Sequence, residues 1–474
     1  MKTKDTKEDI KAATLPESKT EPGNGHGTVT AHASPGQGVP VLPAATQPRS
    51  AGRQLPASLM TPPAPAPPPH LEDYRNIIGQ GQIDALHFLA RDLKGRKIKM
   101  VNSTAVGGGV AEMLDRLVPL LSELEVPTHW DVITGGNDFF EVTKAFHNAL
   151  HGSSYTLTKA AQEIFLKYNE QNRARLHFDE ELIVIHDPQP LPLINSRDKN
   201  SSQHWVWRCH IDLSNPDAQV WDFLRPFVEQ FDAAIVSSQS FARQLPIPEY
   251  LFYPCIDPLS EKNKELDDSQ VREVCDELGI DRSRPIVTQV SRFDRLKDPV
   301  GVVQAYKLAK KHVDCQLVLA GGGATDDPEG AAVLQEVKEA AGNDPDIVIL
   351  DLPPWCAHEI NAIQRASTVI VQKSIKEGFG LTVTEGLWKG KPTIASAVGG
   401  IPNQIIHKLT GILVHSVEDC AFQMQYLLTH PEFARQIGAN GHEHVKENFL
   451  MTADVKRWLL LFQLLQKAKT TRPA

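Results

Sequence analysis

Two carboxylates flank a Gly-Phe-Gly turn in KSIKEGFGLTVTEGLWKGKP, residues 373–392, where Glu377 and Glu385 stand eight positions apart. Gly378 and Gly380, placed just ahead of a helical pattern, leave backbone amides open at a helix N-terminus, an arrangement that favours an anion. At about 1.5 Å rise per residue, Glu385 falls roughly 8 Å along the helix axis from the loop. The pair is therefore too far apart to share one proton, and its spacing suits the two ends of an elongated ligand. Taken singly, Glu377 also reads as an ordinary loop residue and Glu385 as a helix-surface residue.

Three other loops carry residue types with a chemistry of their own. In SRFDRLKDP, a strand pattern delivers Arg292 and Lys297. Arginine makes forked bonds and lysine acts as a compact charge, so the pair suits a diphosphate. In ELIVIHDPQP, His186 and Asp187 follow an apolar run and precede two prolines that stiffen the loop. In NSTAVGGGVAEML, Gly107, Gly108 and Gly109 would let backbone approach an anion, or simply make a tight turn. Glu112 stands where a dinucleotide fingerprint needs its last glycine, which removes the main support for a dehydrogenase. The acidic TDDPEG, with Asp326 and Asp327, reads as a capping loop rather than a metal site.

These loops need strands behind them. Apolar runs rich in β-branched residues, KIKMVNST, THWDVITG, ELIVIHD and DAAIVSS, alternate with helical stretches up to about residue 258. After the polar segment ELDDSQVREVCDELGI the alternation restarts with PIVTQVSRFD, CQLVLAGGG, DIVILDLP, STVIVQKS and KPTIASAV. That order predicts two α/β domains in tandem, each with a parallel sheet and ligands at the carboxyl ends of its strands. The expected boundaries are 71–258 and 285–445, joined by a connector at 259–284, with a C-terminal helix at 446–474 bracing the first domain.

The chain of 474 residues is long enough for two or three domains. Residues 1–70 hold thirteen of the 34 prolines and no Phe, Trp or Tyr, a composition expected to stay disordered. A net charge of −9 argues against a general nucleic-acid or membrane-surface binder. Six scattered cysteines without a C-x-x-C pair, and an N-terminus with no apolar core, fit a cytoplasmic protein.

Together, R-F-D-x-x-K at 292–297 and E-G-F-G-L-x-x-x-E at 377–385 resemble the signature of glycosyltransferase family 4. A closer resemblance covers Tyr74 to about Leu465. NSTAVGGGVAEML, NDFFEVTKAFHNALHG, IHDPQPLPLI, WVWRCHIDLS, CIDPLSEKN and the two motifs above are similar to the trehalose glycosyltransferring synthase family, and to the related retaining trehalose phosphorylases.

The resemblance implies the GT-B fold, two facing Rossmann-like domains with the donor in a deep cleft, and closure about a hinge. It implies transfer of glucose from a nucleoside diphosphate glucose to free glucose, giving α,α-trehalose with retained configuration by front-face substitution. Arg292 and Lys297 would stabilise the leaving diphosphate. Glu377 would hold the donor glucose, Glu385 the ribose, and His186 would line the sugar. Gly108, Gly378, Phe379, Gly380 and Leu381 would bind the donor through backbone. Asp187, Gln189, His210 and Asp212 would meet the acceptor glucose. No metal and no tightly bound cofactor is expected, nor a nucleic-acid or membrane partner; a homodimer is compatible. A phosphorylase using glucose 1-phosphate, and a catalytically silent nucleotide-sugar sensor, remain alternatives on the same residues.

Overall fold

The structure is a computed structural model that describes residues 56–62, 67–105, 109–198, 200–322 and 328–470. Most of the Pro-rich tail, Gly108, and the Asp326–Asp327 loop lie outside the described residues.

Two parallel six-stranded sheets carry the chain. The first holds β1 (Ile98–Asn102), β2 (Thr128–Val132), β3 (Leu182–His186), β4 (His204–Arg208), β5 (Ala233–Val236) and β6 (Glu249–Leu251), in the order β2-β1-β3-β4-β5-β6. The second holds β7 (Ile286–Val290), β8 (Gln316–Gly321), β9 (Ile347–Asp351), β10 (Val369–Gln372), β11 (Thr393–Ser396) and β12 (Ile412–Val414), in the order β12-β11-β10-β7-β8-β9. Every residue of β1, β3, β4, β7 and β10 is buried. Helices cover both faces of such sheets, which is why most of these strands read as continuous apolar runs. β4, β6 and β12 escape that reading because they are short or end in His, Arg or Glu.

Strand order decides where a ligand can sit. The order reverses between β1 and β3 in the first sheet and between β7 and β10 in the second, and each reversal opens a crevice at the strand carboxyl ends. His186 ends β3, Arg292 follows β7, and Glu377 follows β10.

Helices used below are α1 (Gly109–Glu123), α2 (Asn137–Leu150), α3 (Asp268–Leu278), α4 (Ala357–Ala366), α5 (Leu381–Trp388) and α6 (Met451–Thr470). The segment read as a connector contains α3. Its Val271, Val274, Cys275 and Leu278 pack with Ile286, Val318 and Ile363, so it is a layer of the second domain rather than a free link. An Asp267–Gln270 capping box starts it and Gly279, at φ 69°, ends it.

The C-terminal helical pattern breaks at Phe449. The helix Pro431–Asn448 stays with the second domain, and α6 buries Val455, Trp458, Leu459 and Phe462 beside Ile98, Met100 and Leu117 of the first. Ile256 and Leu450, on two of the chain's crossings between domains, form a bridge: Ile256 N–H donates to Phe449 O and Met451 N–H to Ile256 O, both at 2.9 Å.

One part of the Pro-rich segment is docked. Leu59 is buried with Val271, Cys275 and Ile363, and Trp355 Nε1 donates to its carbonyl at 2.9 Å. Twelve residues later, Leu71 and Tyr74 are buried in the first domain, where Tyr74 Oη donates to Asp257 Oδ1 at 2.9 Å. No helix among the described residues is long and apolar enough to cross a membrane.

Candidate active site

The second domain builds the charged side of the cleft. Past β7 the chain reaches Arg292 and then a short 3-10 turn, Arg295–Lys297, whose last carbonyl accepts from Gln289 Nε2 at 2.8 Å. Lys297 Nζ donates to Glu377 Oε2 at 2.5 Å, and Ser374 Oγ donates to the same oxygen at 3.2 Å. Glu377 is 8% exposed, so one of its oxygens is committed to protein and its position is set by the β7 loop. The Arg292 side chain is 64% exposed and has Asp294 at 3.5 Å. It is the more available of the two cations.

The Gly-Phe-Gly turn serves geometry as well as anion binding. Gly380 takes φ +85° as the N-cap of α5, a conformation that disfavours a side chain. Gly399, at φ +55°, lies so close behind the turn that a Cβ there would sit 1.6 Å from Glu377 O. A Cβ on Gly378 would lie 3.0 Å from the His210 carbonyl, which brings the turn against the first domain. Leu381 reaches the other way: a Cβ on Gly109 would stand 2.9 Å from its Cδ1.

Phe379 turns its side chain into the protein, so the expected donor contact is one for its backbone alone. Its ring is buried with Ile256, Val383 and Leu450, near Tyr253 and Phe449, so it anchors the turn at the domain junction. Its carbonyl accepts from Gln404 Nε2.

Glu385 is 3% exposed, not a helix-surface residue. Gln364 Nε2 donates to its Oε2 at 3.1 Å, and Lys262 Nζ stands 3.7 Å from Oε1. Lys262 also donates to Glu112 of α1 at 2.7 Å, so one ammonium joins carboxylates of both domains. Burial lowers the proton affinity of Lys262, but Glu385 and Glu112 more than compensate and hold it charged. Lys389 lies close by, donating to Asn263 Oδ1 at 3.0 Å; burial, with Arg365 and Lys262 against the pull of Glu385, brings it down to about 7.

The first domain supplies neutral imidazoles and carboxylates. His186 Nδ1 lies 3.1 Å from His210 Nε2, with the rings stacked at 5.4 Å. Burial and then Arg208 lower His186 to about 3, and burial, Arg208 and His186 lower His210 well below the usual range. In a neutral pair one ring donates to the other, leaving His186 Nε2 and His210 Nδ1 buried without protein partners, one as a donor and one as an acceptor.

Asp187 sits at φ +64° and accepts the His210 N–H at 2.8 Å; burial raises its carboxyl to about 6 against that bond and Arg208. Asp212 Oδ1 accepts Ser214 N–H at 2.8 Å. The Gln189 backbone carbonyl accepts from Asn169 Nδ2 at 3.0 Å, and its side-chain Oε1 is buried without a hydrogen-bond partner in the protein.

Residues that the sequence reading left unassigned complete the cleft. His147 and His151 lie one turn apart at the end of α2, ring centroids 4.8 Å apart. Burial lowers His147 to about 4, helped by His151 and by Arg292 from the other domain. Burial also lowers His151, against Asp212 and Glu377. Lys376 Nζ donates to the His151 carbonyl across the cleft. The H-x-x-x-H spacing of 147 and 151 was visible as one helix face; its position opposite Glu377 was not.

The arrangement can hold a dianionic group near Arg292, Lys297 and the α5 N-terminus, with hydroxyl-binding groups facing it. The chain matches "Trehalose synthase, N-terminal domain" over residues 100–243 and "Glycosyl transferases group 1" over 271–444. It is 44% identical over 395 residues to the trehalose synthase of Thermococcus litoralis, covering 82% of this chain and 95% of that one. It is 29% identical over 461 residues to the trehalose phosphorylase of Pleurotus pulmonarius, covering 85% of this chain and 62% of that one. Among solved structures, the sucrose-phosphate synthase of Thermosynechococcus elongatus superposes with a TM-score of 0.62 at 20% identity, covering 79% of this chain and all of the other. Its fold is that GT-B fold, and the chain belongs to the trehalose synthase family of glycosyltransferases.

Proposed function

We propose that the protein transfers glucose from a nucleoside diphosphate glucose to free glucose, forming α,α-trehalose with the donor configuration retained. The observation that carries this reading is the Lys297–Glu377 pair, set beside Arg292 and the α5 N-terminus at the β7/β10 reversal. Cations and open amides there meet a departing diphosphate, while Glu377 keeps its second oxygen for donor-glucose hydroxyls. In front-face substitution the leaving β-phosphate takes the proton of the acceptor hydroxyl as the new glycosidic bond forms. Glu377 then positions the sugar and is no nucleophile.

The first-domain wall supports a neutral acceptor. His186, His210 and His151 are uncharged at pH 7, and Asp212 would repel a phosphorylated sugar. Metal-free leaving-group stabilisation by Arg292 and Lys297 belongs to the same proposal, as does a cytoplasmic location, in keeping with six buried free thiols.

A second reading has a specific observation behind it. Lys262 already neutralises Glu385, the residue proposed to hold ribose, so a phosphorylase that needs no nucleoside fits that end of the cleft as well. One experiment separates these readings: incubation with glucose and, in turn, UDP-, ADP- or GDP-glucose and glucose 1-phosphate, with trehalose measured. Trehalose from a nucleotide sugar supports the synthase. Trehalose from glucose 1-phosphate alone supports the phosphorylase. Tight donor binding without product from any of them rejects both in favour of a sensor.

A further inference from the structure

The first domain's wall carries a histidine that the proposed reaction has so far used only as an uncharged surface. His151 caps the C-terminus of α2, and Gly152 after it turns at φ +96°. Lys376 donates to the His151 carbonyl from the loop that holds Glu377, so the backbone of His151 is pinned to the opposite domain. A Cβ on Gly152 would lie 2.8 Å from Lys376 Nζ and 2.8 Å from Asn215 O, which shows how closely the chains meet there.

The imidazole lies within electrostatic reach of Asp212 in its own domain and of Glu377, Lys297 and Lys376 in the other. Its Nδ1 is buried and has no hydrogen-bond partner in the protein. Such an atom is costly to leave unmade, and at the meeting point of a carboxylate from each domain a ligand hydroxyl would satisfy it. Burial keeps the ring neutral at pH 7, so it offers one donor and one acceptor, the same pair a sugar hydroxyl offers. Asp212 spends one oxygen on Ser214 N–H and has the other for a second hydroxyl.

We infer that His151, together with Asp212, forms the subsite for the acceptor hexose and orients it toward the donor carbon beside Glu377. The inference rests on the proposed transfer between two sugars. Its side of the cleft follows from where the charges lie. Arg292, Lys297 and the α5 N-terminus, which would hold the donor diphosphate, all belong to the second domain. His151 and Asp212 face them from the first.

The test uses the full chain and the variants His151→Ala and His151→Asn, the latter keeping a donor and an acceptor near the Nδ1 position. Initial rates are measured with glucose varied at saturating donor, with donor varied at saturating glucose, and as donor hydrolysis without glucose. His151→Ala is expected to raise the glucose KM about tenfold, as for one lost hydrogen bond. The donor KM and the hydrolysis rate should stay within twofold, and His151→Asn should recover part of the glucose KM. An unchanged glucose KM, or a parallel fall in donor hydrolysis, overturns the inference. Should His151→Ala fail to fold, His151→Asn and Asp212→Asn carry the same comparison. If the wild type makes no trehalose from any donor, the proposed reaction fails, and calorimetric binding of glucose and trehalose decides the subsite alone. Binding by wild type that weakens in His151→Ala sustains it; equal binding, or none by wild type, overturns it.

Discussion

Lys297 and Glu377, eighty residues apart in the chain, are joined at 2.5 Å between the β7 and β10 loops. Each restrains the other, so neither can be removed without disturbing its partner. Glu377→Gln keeps an oxygen for Lys297 and should fold, with transfer reduced about 10²–10³-fold. Lys297→Ala leaves a buried carboxylate unpaired and should also lower stability, by about 3 kcal/mol. Denaturant titration with rate measurements on both singles and the Lys297→Ala/Glu377→Ala double checks the coupling. A double mutant no more stable than the sum of the singles' losses predicts would show that the pair does not act as a unit.

Arg292 is the opposite case. Its side chain is 64% exposed with only a 3.5 Å approach to Asp294, so its folding role is small. Arg292→Ala should change stability by less than about 0.5 kcal/mol. The same substitution should lower transfer about 10²–10³-fold. Near-wild-type turnover would remove Arg292 from the site.

Asp187 gives a pH signature. Its folded carboxyl is raised by burial to about 6 from 3.8, so the folded state holds the proton more firmly than the unfolded chain does. That stabilisation is complete below pH 3.8 and is lost as pH rises through 6, amounting to about 3 kcal/mol at roughly 1.36 kcal/mol per pH unit. Asp187→Asn can still accept the His210 N–H and tolerates the positive φ. Compared with it, wild type should lose thermal stability between pH 4 and 6.5 and run parallel above. Parallel curves across the whole range would contradict the raised carboxyl.

Gly399 tests the backing of the turn. Since a Cβ there would overlap Glu377 O at 1.6 Å, Gly399→Ala must displace one of the two loops. A loss of about 2 kcal/mol or more is expected, with donor KM and turnover both worsened. Gly390 also has a positive φ, 67°, but open space around it. Gly390→Ala should therefore cost backbone strain alone and spare activity; equal kinetic damage in both would detach the effect from Glu377.

Much of this site follows from local pattern. Buried parallel strands announce themselves as apolar runs; His186 ends one, and Arg292, Lys297 and Glu377 lie in the loops after two others. The packing of α3 had a signal that the connector reading passed over: Val271, Val274, Cys275 and Leu278 recur at one face, which marks a packed helix. Phe379 was not legible, because glycines on both sides leave its ring free to turn either way until Tyr253 and Phe449 hold it. The burial of Glu385 was not legible for a related reason. Its partners lie on other elements, Gln364 on a neighbouring helix and Lys262 over a hundred residues earlier. Lys376 and His151 meet only once both domains are in place, a relation that no local spacing encodes.

Two of the chain's crossings between domains are hydrogen-bonded to each other at Ile256 and Leu450. Two independent links would let the domains slide, tilt and twist; a pair bound side by side acts as a pin, leaving rotation about itself as the soft coordinate. Lys262, six residues beyond the pin, can then keep Glu112 and Glu385 together while Lys376 and His151 part at the mouth. Sugars would enter and leave by one swing, with the Lys262 end of the cleft as its still point.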